Sequence, residues 1–249
     1  MLDVDGHAVE VVAQEGRAPT LLFLHEGLGS ARLWRSFPGD VAMASGLAAF
    51  AYSRLGYGAS DPVSLPRPLT YMEDEARVFL PRLRRAAALD EVILVGHSDG
   101  ASIALVHAAV AGEGVRGLVL LAPHVFVEDV SVASIAAARD AYEHGDLRAR
   151  LARHHAHVDV AFHGWNGAWL DPGFRSWDLQ RFLPDVEVPV LIVQGEDDAY
   201  GTRAQVDAIA TQVRGACEIA MLEGCGHAPQ HERAAETRAA VVRFVKELA

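Results

Sequence analysis

Six short runs of aliphatic and β-branched residues punctuate the chain, at positions 20–24, 48–52, 91–95, 117–121, 190–193 and 217–222. Each is too short and too continuously apolar for an amphipathic helix, so each is predicted to be a strand buried on both faces of a parallel sheet. Helix-forming stretches lie between several of them. Residues 72–87 carry acids early and arginines late, as the helix dipole favours, and Pro81 is expected to kink or divide this helix. Residues 101–111 are small or aliphatic throughout, and a helix apolar on every side belongs in the interior. Strand and helix in alternation predict an α/β domain, a mostly parallel open sheet flanked by helices and joined by right-handed crossovers.

One segment breaks the rhythm. Between 131 and 183 there is no convincing buried strand; helix formers cluster at 134–142 and 146–157, and an aromatic stretch with Trp165, Trp169, Phe174 and Trp177 follows. Inserted between two strands, residues 131–183 are expected to form a helical cap over the end of the sheet, on a core made of 1–130 and 184–249. No repeat or low-complexity tract argues for a further boundary. A length of 249 residues suits a single domain.

Charge narrows the partners. The net charge of -11 repels phosphate backbones and anionic lipid, so neither nucleic acid nor a membrane is an expected partner. The opening Met1-Leu2-Asp3-Val4-Asp5 is neither a basic leader nor an apolar run. No segment reaches the roughly 18 uninterrupted apolar residues of a membrane span, and a cytoplasmic location is expected. The only cysteines, Cys217 and Cys225, are expected to be free thiols. Arg153-His154-His155-Ala156-His157 lacks the carboxylate or cysteine companions of a metal site and is read as a solvated helix face. No metal and no cofactor is implied.

Chemistry is concentrated at the ends of three strands. The run at 91–95 leads into Gly96-His97-Ser98-Asp99-Gly100 and then into the small-residue helix. A turn that tight has no room for side chains at Gly96 and Gly100, and it lifts the Ser98 hydroxyl above the sheet edge in front of the N–H groups of the helix start. A serine needs a base and a group that orients the base. Downstream, the run at 190–193 leads into Gln194-Gly195-Glu196-Asp197-Asp198, and the last run into Glu223-Gly224-Cys225-Gly226-His227. Ligand sites in open α/β sheets form at the C-terminal ends of strands, where all three motifs fall. On this ground alone Asp197 and Asp198 are equivalent.

Serine, acid and histidine in this order, in these turns, resemble the α/β-hydrolase family over about residues 20–248. The resemblance implies an α/β-hydrolase fold with a helical cap. It selects Asp198 from the Gly195-Glu196-Asp197-Asp198 turn, and Gly226-His227 is similar to the family's histidine turn, with Glu232 following it. His25-Glu26-Gly27-Leu28-Gly29-Ser30 resembles the family's oxyanion loop. Position by position this makes the N–H of Gly27 one oxyanion donor and that of Asp99 the other; a differently bent loop would use Leu28.

Glu26 stands where the family has glycine. Its carboxylate either braces the loop, for example on Arg54, or sits near the scissile bond to disfavour anionic groups or serve as a second base. The stretch from Tyr52 to Asp61 is similar to the family's D-x-R-G-x-G-x-S-D loop, with Tyr52 for aspartate and Leu55 for glycine. Leu28, His124, Tyr142 and Trp165 are the candidate pocket residues, and Trp169 and Trp177 are further aromatics of the cap that could wall an apolar pocket; His124 and the aromatics equally suit fastening the cap.

The expected activity is hydrolysis of a small or medium-sized, uncharged carboxylic ester or lactone through an acyl-enzyme, with a small-molecule acyl compound as partner. Carbon–carbon bond hydrolysis or a synthase-like elimination is the alternative. Relatives of that kind bring pocket arginines, and the cap offers Arg139, Arg148, Arg150, Arg153 and Arg175. A more distant alternative is a non-catalytic small-molecule receptor.

Overall fold

All six apolar runs are strands in the computed structural model, which describes residues 1–249. Three short strands precede them, β1 (Leu2–Val4), β2 (His7–Val9) and β3 (Val11–Gln14). They are three or four residues each, and the one apolar stretch among them, Val11-Val12-Ala13, is shorter than the runs that mark the other strands. The six are β4 (Arg17–Leu24), β5 (Leu47–Tyr52), β6 (Val92–His97), β7 (Val115–Leu121), β8 (Val190–Gly195) and β9 (Cys217–Leu222). β1 and β2 form a separate antiparallel hairpin, and the main sheet has the order β3-β5-β4-β6-β7-β8-β9. Only β3 runs antiparallel to its neighbour.

Strand alternation divides the interior in two. β4 sends Leu22 and Leu24 into one core and Leu21 and Phe23 into the other, and β6 does the same with Leu94 and Ile93. β9 departs from the expectation of two buried faces. It is the sheet edge, its residues are half-buried, and Ile219 is exposed. The helix Asp99–Ala111 is buried from Asp99 through His107, as its composition requires.

Two irregularities have sequence causes. The helix expected over 72–87 is helical at Tyr71–Asp74 and Leu80–Ala86, with a π-helical turn at Glu75–Phe79 between them. Pro81 has no N–H for the carbonyl of Arg77, and its ring crowds that carbonyl, so the backbone widens in the turn before it rather than at the proline.

Between β7 and β8 the chain forms helices Asp129–Glu143, Leu147–Leu151 and Val158–Trp169, then 3-10 turns at Pro172–Ser176 and Gln180–Asp185. The single helix expected at 146–157 is therefore broken. His155 is buried rather than solvated: its Nδ1 accepts the Gly58 N–H at 3.0 Å and its Nε2–H donates to the Leu28 carbonyl at 3.0 Å. Those two bonds turn the chain inward where a continuous helix would have held the ring on an outer face.

The strand order fixes the place for chemistry. From β4 the chain steps to β5 on one side and later returns to β6 on the other, so the order reverses between β4 and β6. The crevice beyond the C-terminal ends of strands at such a reversal is the usual ligand site of open α/β sheets. Leu24 pairs with Gly96 across it, which brings the loop starting at His25 beside the turn that holds Ser98.

Candidate active site

Ser98 sits in a conformation that side chains rarely adopt, with φ 52° and ψ −118°. Its surroundings enforce this. A Cβ on Gly100 would lie 2.0 Å from the Leu24 carbonyl oxygen, and one on Gly96 would lie 2.4 Å from the Gly100 oxygen. The Ser98 N–H is tied to the Leu121 carbonyl at 2.9 Å, while its own carbonyl accepts the N–H groups of Ala101 and Ser102 and starts the helix. Its hydroxyl has no protein partner and opens on a cavity of about 170 Å³.

His227 lines the same cavity. Its Nδ1 lies 2.9 Å from both carboxylate oxygens of Asp198, so the proton on Nδ1 points at the acid and Nε2 is left with its lone pair. Asp198 is held in turn, Oδ1 by the Tyr200 N–H and Oδ2 by Gln194 Nε2, both at 2.8 Å. Burial works against its ionised form, but the His227 hydrogen bond and charge and these two donors keep its pKa below the usual aspartate value. Asp197 is exposed and meets the histidine loop only through its N–H, which donates to the Cys225 carbonyl at 2.9 Å.

The histidine loop packs closely because Gly195 lacks a side chain: a Cβ there would lie 2.2 Å from the Cys225 and Gly226 carbonyls. Glu232 braces the loop on both sides of His227, accepting the Gly226 N–H at 2.7 Å and the Ala228 N–H at 3.0 Å. Cys225 is a buried free thiol whose pKa burial pushes up to about 11, and Cys217 is free as well.

The cavity walls are Glu26, Gly27, Leu28, Ser131, Ile135, Trp165, Trp169, Tyr200 and His124, together with Ser98, Asp99 and His227. Of the sequence candidates, Leu28, His124, Trp165 and Trp169 are there and Tyr142 and Trp177 are not. Tyr142 stacks on Phe162 with ring centroids 3.7 Å apart, and its hydroxyl donates to Asp159, so it fastens the helices Asp129–Glu143 and Val158–Trp169 to each other. Gly27 is pressed against Trp165, whose Nε1 would lie 2.1 Å from a Cβ at that position. The N–H groups of Gly27 and Leu28 make no backbone hydrogen bond, and that of Asp99, first in its helix, has no intrahelical acceptor. A larger open hollow of about 790 Å³ beside Arg84 and His107 contains neither Ser98 nor His227.

Glu26 does not pair with Arg54 through its carboxylate. Its Oε2 lies 3.3 Å from Nδ1 of His97, and Arg54 bonds its backbone carbonyl instead. Burial opposes ionisation of Glu26, yet the hydrogen bond and charge of His97 hold its pKa well below the carboxylate range. For His97, burial likewise opposes the charged form, and Glu26 outweighs it to raise the pKa. His97 also donates from Nε2 to the His227 carbonyl at 2.7 Å, joining the serine turn to the histidine loop. Sequence reasoning did not single out His97, Ser131, Ile135 or Tyr200 as parts of this site. His97 and Tyr200 had a usable signal, since each sits within two residues of Ser98 or Asp198.

Four buried histidines have depressed pKa values, with burial as the largest cause in each: His25, His107, His124 and His155. His124 donates from Nε2 to the Tyr200 carbonyl at 3.0 Å, and both it and His107 are lowered to about 4 from an ordinary 6.5. An unfolded chain binds protons at these rings that the native state refuses. Their contribution is complete above pH 6.5 and is lost as the pH falls towards 4. The raised pKa of His97 acts oppositely, its contribution being lost as pH rises. Urea unfolding at about pH 4.5 is expected to show a stability lower than at pH 7 by about 2 kcal/mol or more for each of His107 and His124. A flat stability across that interval would contradict this account.

Comparison with known proteins agrees with this architecture. The sequence profile of the alpha/beta hydrolase family matches residues 21–240. The human serine hydrolase BPHL is 28% identical over 181 residues, which is 70% of this chain and 61% of that protein. The chain therefore spans about 61% of the length of the curated relatives it matches. Among solved structures, an enol-lactonase from Burkholderia xenovorans superposes with a TM-score of 0.74 at 20% identity, covering 97% of this chain and 98% of that one. A proline iminopeptidase from Mycobacterium smegmatis gives 0.75 at 19% identity, covering 99% and 97%. At such identities these structures share the fold.

Proposed function

Because this chain belongs to the alpha/beta hydrolase family, we propose that it is a serine hydrolase that cleaves a small, uncharged carboxylic ester or lactone through an acyl-enzyme. Nε2 of His227 takes the Ser98 proton as Oγ attacks the carbonyl carbon, and the Gly27 and Asp99 N–H groups receive the developing oxyanion. The imidazolium, steadied by Asp198, then protonates the departing alkoxide. A water molecule gives its proton to the same nitrogen, attacks the acyl carbon, and Ser98 is released with the acid.

The observation that carries this reading is the meeting on one cavity of a serine without a protein partner and a histidine whose other nitrogen is fixed at 2.9 Å from a buried carboxylate. The cavity of about 170 Å³ and its walls of Trp165, Trp169, Tyr200, Leu28 and Ile135 favour a small, partly apolar acyl group. Carbon–carbon bond hydrolysis of an anionic substrate draws no support, since no arginine or lysine lines the cavity. Of the cap arginines, Arg148, Arg150 and Arg175 pair with Asp159, Asp146 and Asp129, and Arg139 and Arg153 are exposed.

A small acyl compound as partner and a cytoplasmic location are part of the same proposal. The cavity of about 170 Å³ supports the small partner, the net charge of -11 disfavours nucleic acid and anionic lipid, and no helix is long and apolar enough to cross a membrane. A reporter-tagged fluorophosphonate separates enzyme from receptor. Stoichiometric phosphonylation of Ser98 with loss of fluoride is expected, and a chain that stays unlabelled, or is labelled elsewhere, would refute the assignment.

A further inference from the structure

The carbonyl oxygen of Glu26 accepts three hydrogen bonds, from His25 Nδ1–H at 2.7 Å, Arg54 Nη2–H at 2.9 Å and the Gly29 N–H at 3.1 Å. A carbonyl has two lone pairs, so this one is fully subscribed. It is one half of the peptide group whose other half is the Gly27 N–H. That group is planar and trans, so fixing the oxygen fixes the N–H in the opposite direction. Donors on the oxygen also polarise the amide, which makes the N–H a stronger donor.

A buried network sets those donors. The backbone N–H of Arg54 donates to His25 Nε2 at 3.0 Å, which leaves the ring proton on Nδ1, facing the Glu26 carbonyl. Burial and the neighbouring Arg54 charge keep His25 neutral in that tautomer. The same guanidinium lies 3.7 Å from Oδ2 of Asp99, whose carboxylate also accepts the Tyr71 hydroxyl at 2.6 Å and Trp169 Nε1–H at 3.3 Å. Arg54 thus touches both segments that supply the two oxyanion donors.

Stability alone does not account for Arg54. The residue is 2% exposed, and its Nε and Nη1 are buried without partners. A buried polar group left unsatisfied costs roughly 1–3 kcal/mol, more when charged, and an apolar side chain of similar volume would avoid that cost. Local conflicts of this kind concentrate at functional sites.

We infer that Arg54, acting with His25, is a positioning residue of the oxyanion site, aiming and polarising the Gly27 N–H and holding Asp99 in place beside Ser98. The inference rests on the serine-hydrolase reading above. Arg54→Met, Arg54→Lys and His25→Leu test it, with rates normalised to the sites that fluorophosphonate titrates. Arg54→Met is expected to lower kcat for p-nitrophenyl butyrate about 10-fold to 100-fold, with KM within about threefold. Affinity for butylboronic acid, whose serine adduct is tetrahedral and anionic, falls by the same factor as kcat/KM, and Arg54→Lys recovers part of both.

If Arg54→Met does not fold, His25→Leu, which removes another donor from the same carbonyl, carries the same expectation. A purely structural role would lower the melting temperature and the titratable fraction while leaving kcat per titrated site and boronate affinity as in the wild type. That pattern overturns the inference. Wild-type protein that neither binds the boronate nor turns over the ester would instead bring down the serine-hydrolase reading, and the inference with it.

Discussion

Ser98→Ala is expected to lower kcat/KM for p-nitrophenyl butyrate by at least about 10,000-fold, with a melting temperature within about 2 °C of the wild type. The two halves of that expectation come from one feature. The Ser98 hydroxyl opens on the cavity and bonds to nothing in the protein, so its removal orphans no donor or acceptor. Alanine also keeps a Cβ at φ 52°, so the backbone strain of the turn is neither added to nor relieved. Loss of turnover in a protein that melts normally therefore reports chemistry and not folding. Residual catalysis by the oxyanion donors and the cavity is allowed for in the size of the effect. Retention of a tenth of the activity would mean that another group attacks the substrate.

The parts of this site that were legible in the sequence are those where backbone geometry leaves one solution. Gly96 and Gly100 flank Ser98 because a Cβ on Gly96 would strike the Gly100 oxygen within the turn itself at 2.4 Å, and one on Gly100 would strike the Leu24 oxygen of the adjacent strand at 2.0 Å, an approach that any strand, turn and helix of this kind at a sheet edge imposes. The two downstream strand ends were legible for a related reason, since buried parallel strands write continuous apolar runs. Distinguishing Asp198 from Asp197 took the family resemblance, because both follow the same strand and only tertiary packing turns one of them towards His227.

What the sequence concealed was decided by contacts between distant segments. Nothing in the pattern around 146–157 shows that His155 will turn inward to bond Gly58 and Leu28 and end the helix at Leu151. Composition marks Tyr142 as a large aromatic in need of burial, but its neighbour is Phe162 and not the cavity. The partner of Glu26 proved to be His97, 71 residues away and one position before the serine. Cavity walls such as Ser131, Ile135 and Tyr200 come from two different segments, and no local signal joins them to Ser98.

Asp198→Asn should be nearly as damaging as loss of the serine, with kcat lower by about 10,000-fold, the magnitude seen when the acid of a serine-protease triad becomes an amide. The hydrogen bonds dictate how the new amide settles. If its oxygen replaced Oδ2 and faced Gln194, its NH2 group would point at the Tyr200 N–H, a backbone donor that cannot turn away. With the oxygen at the Oδ1 position the Tyr200 bond survives, and the NH2 group faces Gln194, whose Oε1 is buried without a partner and can rotate to accept from it. Because His227 Nδ1 lies 2.9 Å from both positions, it then faces an NH2 donor as well as the amide oxygen, which favours the tautomer with the ring proton on Nε2, a nitrogen that cannot accept the serine's proton in that form. The fold is retained and the base is lost, so the melting temperature changes little while turnover collapses. Asp197→Asn, at an exposed position, serves as the control and leaves kcat within about threefold. Equal activity in the two variants, or an Asp198→Asn enzyme within tenfold of the wild type, would show that His227 does not depend on Asp198 for its tautomer.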